Sequence, residues 1–162
     1  MKSVTLTRAF GMLVLCVMVG CATPATELEA NKELLHEYHQ DIWVKGQLET
    51  MAQYIAQDFR SHAVADDSPQ GVEPSTQFMQ MVWAAFPDMQ SHEDALFGEG
   101  DRVVIQWTID ATHKGNFLGV PATNKPIHIS GMDVLRVQNG KFVEHWGGLG
   151  DQIDVIFRQI QQ

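Results

Sequence analysis

Residues 102–137 read RVVIQWTIDATHKGNFLGVPATNKPIHISGMDVLRV. The first nine alternate: Val103, Ile105, Trp107 and Ile109 face one way, and Gln106, Thr108 and Asp110 face the other. A period of two marks a half-buried strand. From Lys125 the alternation resumes, so two long strands are interrupted by a stretch rich in glycine and proline. Curved sheets bend at glycines and bulges. Gly115, Gly119 and Gly131 are therefore expected to bend the strands of a half-barrel, with the intervening stretch as a long turn at its mouth. His113 and His128 have no such geometric reason to be there.

Outward from this stretch, residues 125–150 read as two strands joined at Asn139-Gly140, the strongest short-range hairpin signal. Residues 151–160 read as a short final helix. Upstream, Asn31–Trp43 places Leu34, Leu35, Tyr38 and Ile42 at helical spacing. Gly46 breaks that helix, and residues 47–59 continue as a second helical piece. Residues 61–74 form a loop on composition, Pro74 opens a helix that carries Phe78, Val82, Trp83 and Phe86 on one side, and Pro87 stops it. Residues 92–101 read as a strand and turn. Helices first and antiparallel strands after is an α+β plan: a cone-shaped half-barrel of curved sheet packed on N-terminal helices.

The N-terminus has a basic start (Lys2, Arg8) and an apolar run from Phe10 to Val19, too short for a membrane span of ~20 residues. This pattern is a secretory signal. The chain's two cysteines, Cys16 and Cys21, both lie here, so the domain that follows forms no internal disulfide and relies on its core. Residues 1–20 are read as signal, 21–31 as a tether and 32–162 as one domain. Removing Lys2 and Arg8 with the signal leaves 9 basic residues against 20 acidic, and the net charge passes from −9 to −11. That argues against nucleic acid or an anionic lipid surface as partner.

Several motifs carry a resemblance. Met18–Cys21, "MVGC", resembles the lipobox of bacterial lipoproteins, in which Cys21 would be lipidated; Ala22 after it implies the outer membrane of a double-membraned cell envelope. An ordinary cut signal is the other reading. Thr112, His113, Gly115, Phe117, Gly119 and Pro121, followed by Gly140, Lys141, Phe142, Glu144 and Trp146, resemble the SnoaL-like polyketide cyclase or ester cyclase family over about residues 32–160. The resemblance implies the nuclear transport factor two-like cone and, in the polyketide cyclases, an aspartate in the cone acting as acid and base for ring closure. It also implies pairing of two copies through the sheet, where Val104, Val134 and Val143 remain available. Gly147 stands where many relatives carry an aspartate, and Gln106 where many carry an arginine.

Ring closure needs a base beside a carbonyl and a donor to the enolate oxygen. Asp133 shares a strand phase with Ile127, Ile129, Gly131, Leu135 and Val137, and an acid in an apolar row is costly unless paired or used. A bulge at Gly131 would turn it outward. Asp151 either sits at the cone mouth or caps the last helix. His145 either lines the cavity or faces solvent. His62, in the loop entering the cone, is a pocket or surface histidine, and His113 orders the turn or touches ligand. His128 faces away from the Asp133 row. Trp83, Phe86, Trp107, Phe117 and Trp146, with Met79, Met81 and Met132, line an apolar pocket or pack the core. His36 and His39 lie on a helix expected to precede the cavity. With no HxH or HxxxH pair, no glycine-rich phosphate loop and no G-x-S-x-G, no metal or other cofactor is expected. The readings are a cofactor-free cyclase, isomerase or lyase on a small apolar carbonyl compound, an envelope lipoprotein holding a small hydrophobic molecule, or a structural envelope protein.

Overall fold

A computed structural model describes residues 24–161. Residues 1–23, including the signal and Cys21, lie outside it. The chain runs α1 (Pro24–Tyr38), a π-helical turn (His39–Val44), a 3-10 turn (Leu48–Thr50), α2 (Met51–Tyr54), β1 (Ile55–Ser61) and α3 (Val72–Ala85). Then come β2 (Gln90–Glu99), β3 (Arg102–Thr112), β4 (Pro126–Gln138), β5 (Lys141–Gly147), a 3-10 turn (Gly148–Gln152) and α4 (Ile153–Gln161). α1 thus begins within the stretch read as a tether.

The five strands form one sheet in the order β1-β5-β4-β3-β2, with β1 parallel to β5 and the other pairs antiparallel. β3 decides the register. Val103, Ile105, Trp107 and Ile109 are each at most 4% exposed, and burying each stabilises by about 1.5–3 kcal/mol. A slip of one residue would turn all four to solvent. β3 and β4 pair without a break from Arg102↔Arg136 to Thr112↔Pro126, so Gly131 carries no bulge. Curvature comes instead from register shifts between Glu93 and Ala95, between Arg136 and Val137, and between Ile55 and Arg60. Asn139 (φ 54°) and Gly140 (φ 70°) make the β4–β5 turn with both central residues left-handed, as a two-residue hairpin requires. The sheet curls around α1, α2 and α3 and encloses the core, an α+β cone.

Other expectations fail as well. Residues 55–59, read as helix, and Ser61, read as loop, belong to strand β1: Ile55 and Phe59 fit helical spacing, but pairing with β5 overrides that local preference. Residues 113–125 are not at the mouth of the cone. His113 N–H bonds Lys125 O, and the Lys114 and Gly115 N–H groups bond Ala85 O at the end of α3. A Cβ on Gly115 would strike the carbonyl of Ala84, so that glycine serves close approach rather than strand bending.

Candidate active site

The cone encloses a cavity of about 190 Å³. Its walls come from α1 and the π-helical turn (Leu35, Tyr38, His39, Trp43), from α3 (Phe78, Met79) and from inward residues of β3 and β4. Its entrance lies on the side where lining residues are exposed, at Val64 and Pro69 of the β1–α3 loop, with Ala63, Gln70, Leu149 and Gly150 beside them.

Asp133 lies inside it. The register places Ile105 opposite Asp133 and Trp107 opposite Gly131. With no side chain on Gly131, the Trp107 indole lies across it and donates Nε1–H to Asp133 Oδ2. A Cβ there would stand 2.6 Å from Trp107 Cζ2. The other carboxylate oxygen, Oδ1, accepts His145 Nε2–H at 2.5 Å. His145 enters from β5, where it pairs with Leu135. Its Nδ1 lies 3.0 Å from Ser61 Oγ at the end of β1, and its ring stacks on Phe59. Gly148 (φ 80°) covers the pair: a Cβ would collide with Asp133 Oδ1 and lie 3.0 Å from His145 Nε2. The Asp133 and His145 side chains are 15% and 17% exposed. The acid that the sequence places in an apolar row is thus bonded on both oxygens.

Two further polar groups share the cavity. The Tyr38 phenol is pushed well above its ordinary value, first by burial and then by the charge of Asp133, while a Trp43 hydrogen bond partly opposes the rise. It stays a neutral O–H. His39, 3% exposed, meets Ser91 Oγ at 2.9 Å through Nε2, while Nδ1 has no partner. Burial holds His39 below its ordinary value, against the opposing charge of Glu93. Both come from a helix expected to precede the cavity. Tyr38, His39, Ser61 and Ser91 were missed, although Leu35, Tyr38, His39 and Ile42 form one stripe at helical spacing. That stripe was the available signal.

Of the residues expected at the pocket, Asp133, His145, Trp107 and Met79 line it. The rest lie elsewhere. Trp146 neighbours His145 on a strand, so it must face the other way; it sits on the outer sheet face, stacked on His62 at 4.7 Å and 6°. His62 also bonds Glu144 at 3.2 Å and so belongs to that outer face. Asp151 is exposed and lines an open outer groove with Gln106, Met132 and Trp146, because the 3-10 turn after β5 carries it outward. Trp83 packs on Gly46 and donates to Ile42 O at 3.0 Å. His113 and Phe117 are fully buried beside Phe86, and Phe117 also meets Phe157 of α4. His113 Nδ1 lies 3.1 Å from Thr123 Oγ1. His128 is exposed and bonds Asp110 at 2.7 Å. Among the described residues no group of three or more His, Cys, Asp or Glu could hold a metal ion.

The profile of the SnoaL-like polyketide cyclase family matches residues 33–159. No curated protein matches. Among solved structures, a candidate polyketide cyclase from Acidithiobacillus ferrooxidans is 30% identical, with a TM-score of 0.67 over 82% of this chain and 95% of that one. AclR, a candidate hydroxylase from Streptomyces galilaeus, is 26% identical, with a TM-score of 0.68 over 83% of each chain. A candidate SnoaL-like polyketide cyclase from Jannaschia sp. CCS1 shares the fold at 21% identity and a TM-score of 0.73, over 87% of this chain and 96% of that one.

Proposed function

The chain belongs to the SnoaL-like polyketide cyclase family, and from that premise we propose that it performs cofactor-free acid–base chemistry on a small apolar carbonyl compound held in the cone. The observation that supports this is Asp133, a carboxylate among apolar walls with an N–H donor on each oxygen. A fold hosts many reactions, and the relatives include a candidate hydroxylase, so the argument rests on the site.

In this reading Asp133 takes a proton from the carbon next to the ligand's carbonyl. The C–H electron pair becomes the enolate double bond, and the carbonyl oxygen gains the charge. Tyr38, kept neutral by its surroundings and receiving its own hydrogen bond from Trp43, has an O–H free to donate to that oxygen. In ring closure the enolate carbon attacks a second carbonyl of the same molecule. The new alkoxide takes the proton back from Asp133, so nothing is lost and no other reactant is needed. His145 holds the carboxylate in place through both states.

Hydrogen–deuterium exchange tests the proton abstraction without requiring the natural substrate. A panel of apolar ketones and 1,3-diketones in D₂O is followed by NMR. The protein should accelerate exchange at the carbon next to the carbonyl, and Asp133→Asn should remove about 10²–10⁴-fold of that acceleration. Tight binding with no exchange would support the second reading, a binding protein. What favours that reading is that both carboxylate oxygens are already engaged.

The same proposal includes export and lipid attachment at Cys21, motivated by the basic start, the short apolar run and MVGC. The lipid would be the only membrane contact. Mass spectrometry of the mature protein should show an acylated N-terminal Cys21; an unacylated terminus at Ala22 or beyond removes the claim.

A further inference from the structure

We propose that Ser61 is a positioning residue, which holds His145 in the tautomer that binds Asp133 and ties that tautomer to the wall of the cavity entrance. This rests on the reading of Asp133 as the acid–base group and of His145 as the residue that holds it. The backbone makes the juxtaposition: in the parallel pairing of β1 and β5, Ser61 stands in register with His145. His62 N–H bonds His145 O at 2.7 Å and fixes the two strand ends together.

The hydrogen-bond accounting gives Ser61 its role. Asp133 is an acceptor, so His145 Nε2 must carry a hydrogen. In the neutral ring Nδ1 is then a bare acceptor, and the group facing it at 3.0 Å is Ser61 Oγ, whose O–H donates. Ser61 Oγ meanwhile accepts the Ala63 N–H at 3.3 Å, which orients the hydroxyl hydrogen toward the ring. When His145 gains a proton, Nδ1 becomes a donor and the same hydroxyl rotates to accept from it. A hydroxyl serves both states without moving a heavy atom, which neither an amide nor a carboxylate does. Ser61 is itself clamped: its N–H donates to Gln70 Oε1 at 2.8 Å and its C=O accepts from Gln70 Nε2 at 3.3 Å. Gln70 and Ala63 both belong to the entrance loop. A shift of that loop on ligand entry therefore reaches His145 through one side chain.

Long-range ¹H–¹⁵N NMR of the folded protein reads both ring nitrogens, with His145 assigned from His145→Gln. In the neutral ring, Nε2 should be the protonated nitrogen, and Nδ1 should lie upfield of a free imine nitrogen because it accepts a hydrogen bond. Ser61→Ala should move Nδ1 downfield with Nε2 still protonated, and Ser61→Thr should restore the wild-type position. An Nδ1–H tautomer in the wild type, or an Nδ1 position that Ser61→Ala leaves unmoved, overturns the proposal. If Ser61→Ala does not fold, the wild-type spectrum decides alone, since a free or protonated Nδ1 there is already incompatible. The exchange experiment fails separately: binding without exchange removes the chemistry and leaves these spectra as expected.

Discussion

Asp133 accepts two N–H groups, one on each oxygen, and this sets what its amide would do. In Asp133→Asn one oxygen can still accept Trp107 Nε1–H. The NH₂ then faces His145 Nε2, where the carboxylate oxygen stood. Two N–H groups cannot face each other, so His145 must change tautomer and donate from Nδ1 to Ser61. Both contacts survive as neutral bonds. The variant should therefore lose activity while losing only about 1 kcal/mol of stability, a cost of the order of one exchanged hydrogen bond. Thermal melts near neutral pH check this. A loss of about 3 kcal/mol or more would assign the carboxylate to holding the fold instead. At this scale Asp133 was legible from sequence, because an acid interrupts an otherwise apolar period. Its partner was not: phase allowed either His145 or Trp146 to face inward, and only the pairing of β4 with β5 chooses. Ser61 reads as the first residue of a loop and Ser91 as a polar residue just before a strand, until the opposite strands are known.

At the scale of elements, β3, β4 and the hairpin turn were readable because their pattern and their packing agree. β1 was not, since a seven-residue strand with apolar residues four apart reads equally as two helical turns, and its partner lies far along the chain. The segment 113–125 was readable as irregular but not as to place, because what fixes it is burial against α3 and α4. That burial makes a prediction. His113, in this segment, and His39, in the π-helical turn, are both held below the ordinary histidine value of 6.5, in each case first by burial. Each stays neutral in the folded protein at a pH where the unfolded chain already binds a proton. The unfolded state then holds more protons, so stability rises with pH across this window. Their contribution is intact above about pH 6.5 and is lost as pH falls below it. Asp41, Asp88 and Glu144 are also lowered, first by hydrogen bonds from Lys45, Lys114 and Arg136. Those carboxylates act below about pH 4, outside the window. Urea midpoints from pH 7.5 to 5 should fall with pH, and His39→Gln with His113→Gln should flatten the slope. A slope that the double variant leaves unchanged would be incompatible with two buried neutral imidazoles.

At the scale of the whole molecule, the inner face of the sheet is consumed by the core and cavity, and the outer face is left without a covering layer among the described residues. That face is organised in rows. Phe97, Val104, Val134 and Trp146 pair in turn across β2, β3, β4 and β5, giving an apolar row four strands wide. Phe97 is 50% exposed, and Met132, near the row, is 52% exposed. Beside it runs a charged row in which Glu99, Arg102, Arg136, Glu144 and Arg60 pair in turn. Arg136 bonds Glu144 within it, and Arg102 lies 5.6 Å over the Trp146 ring. An apolar centre with a polar border is the usual anatomy of a protein interface, and a row containing both signs of charge can meet a copy of itself turned by two-fold rotation without opposing like charges along its whole length. We therefore propose a homodimer paired through this face, with the two cavities turned away from each other. A stable pair needs roughly 1,200–2,000 Å² of buried surface. Light scattering at micromolar concentration should give twice the mass of one chain. Val134→Arg places a charge at the centre of the apolar row, with no partner in a two-fold copy except its own equivalent, and should yield one chain's mass with the cavity and fold unchanged. A wild-type mass of one chain under the same conditions would leave the outer face free and the proposal without support.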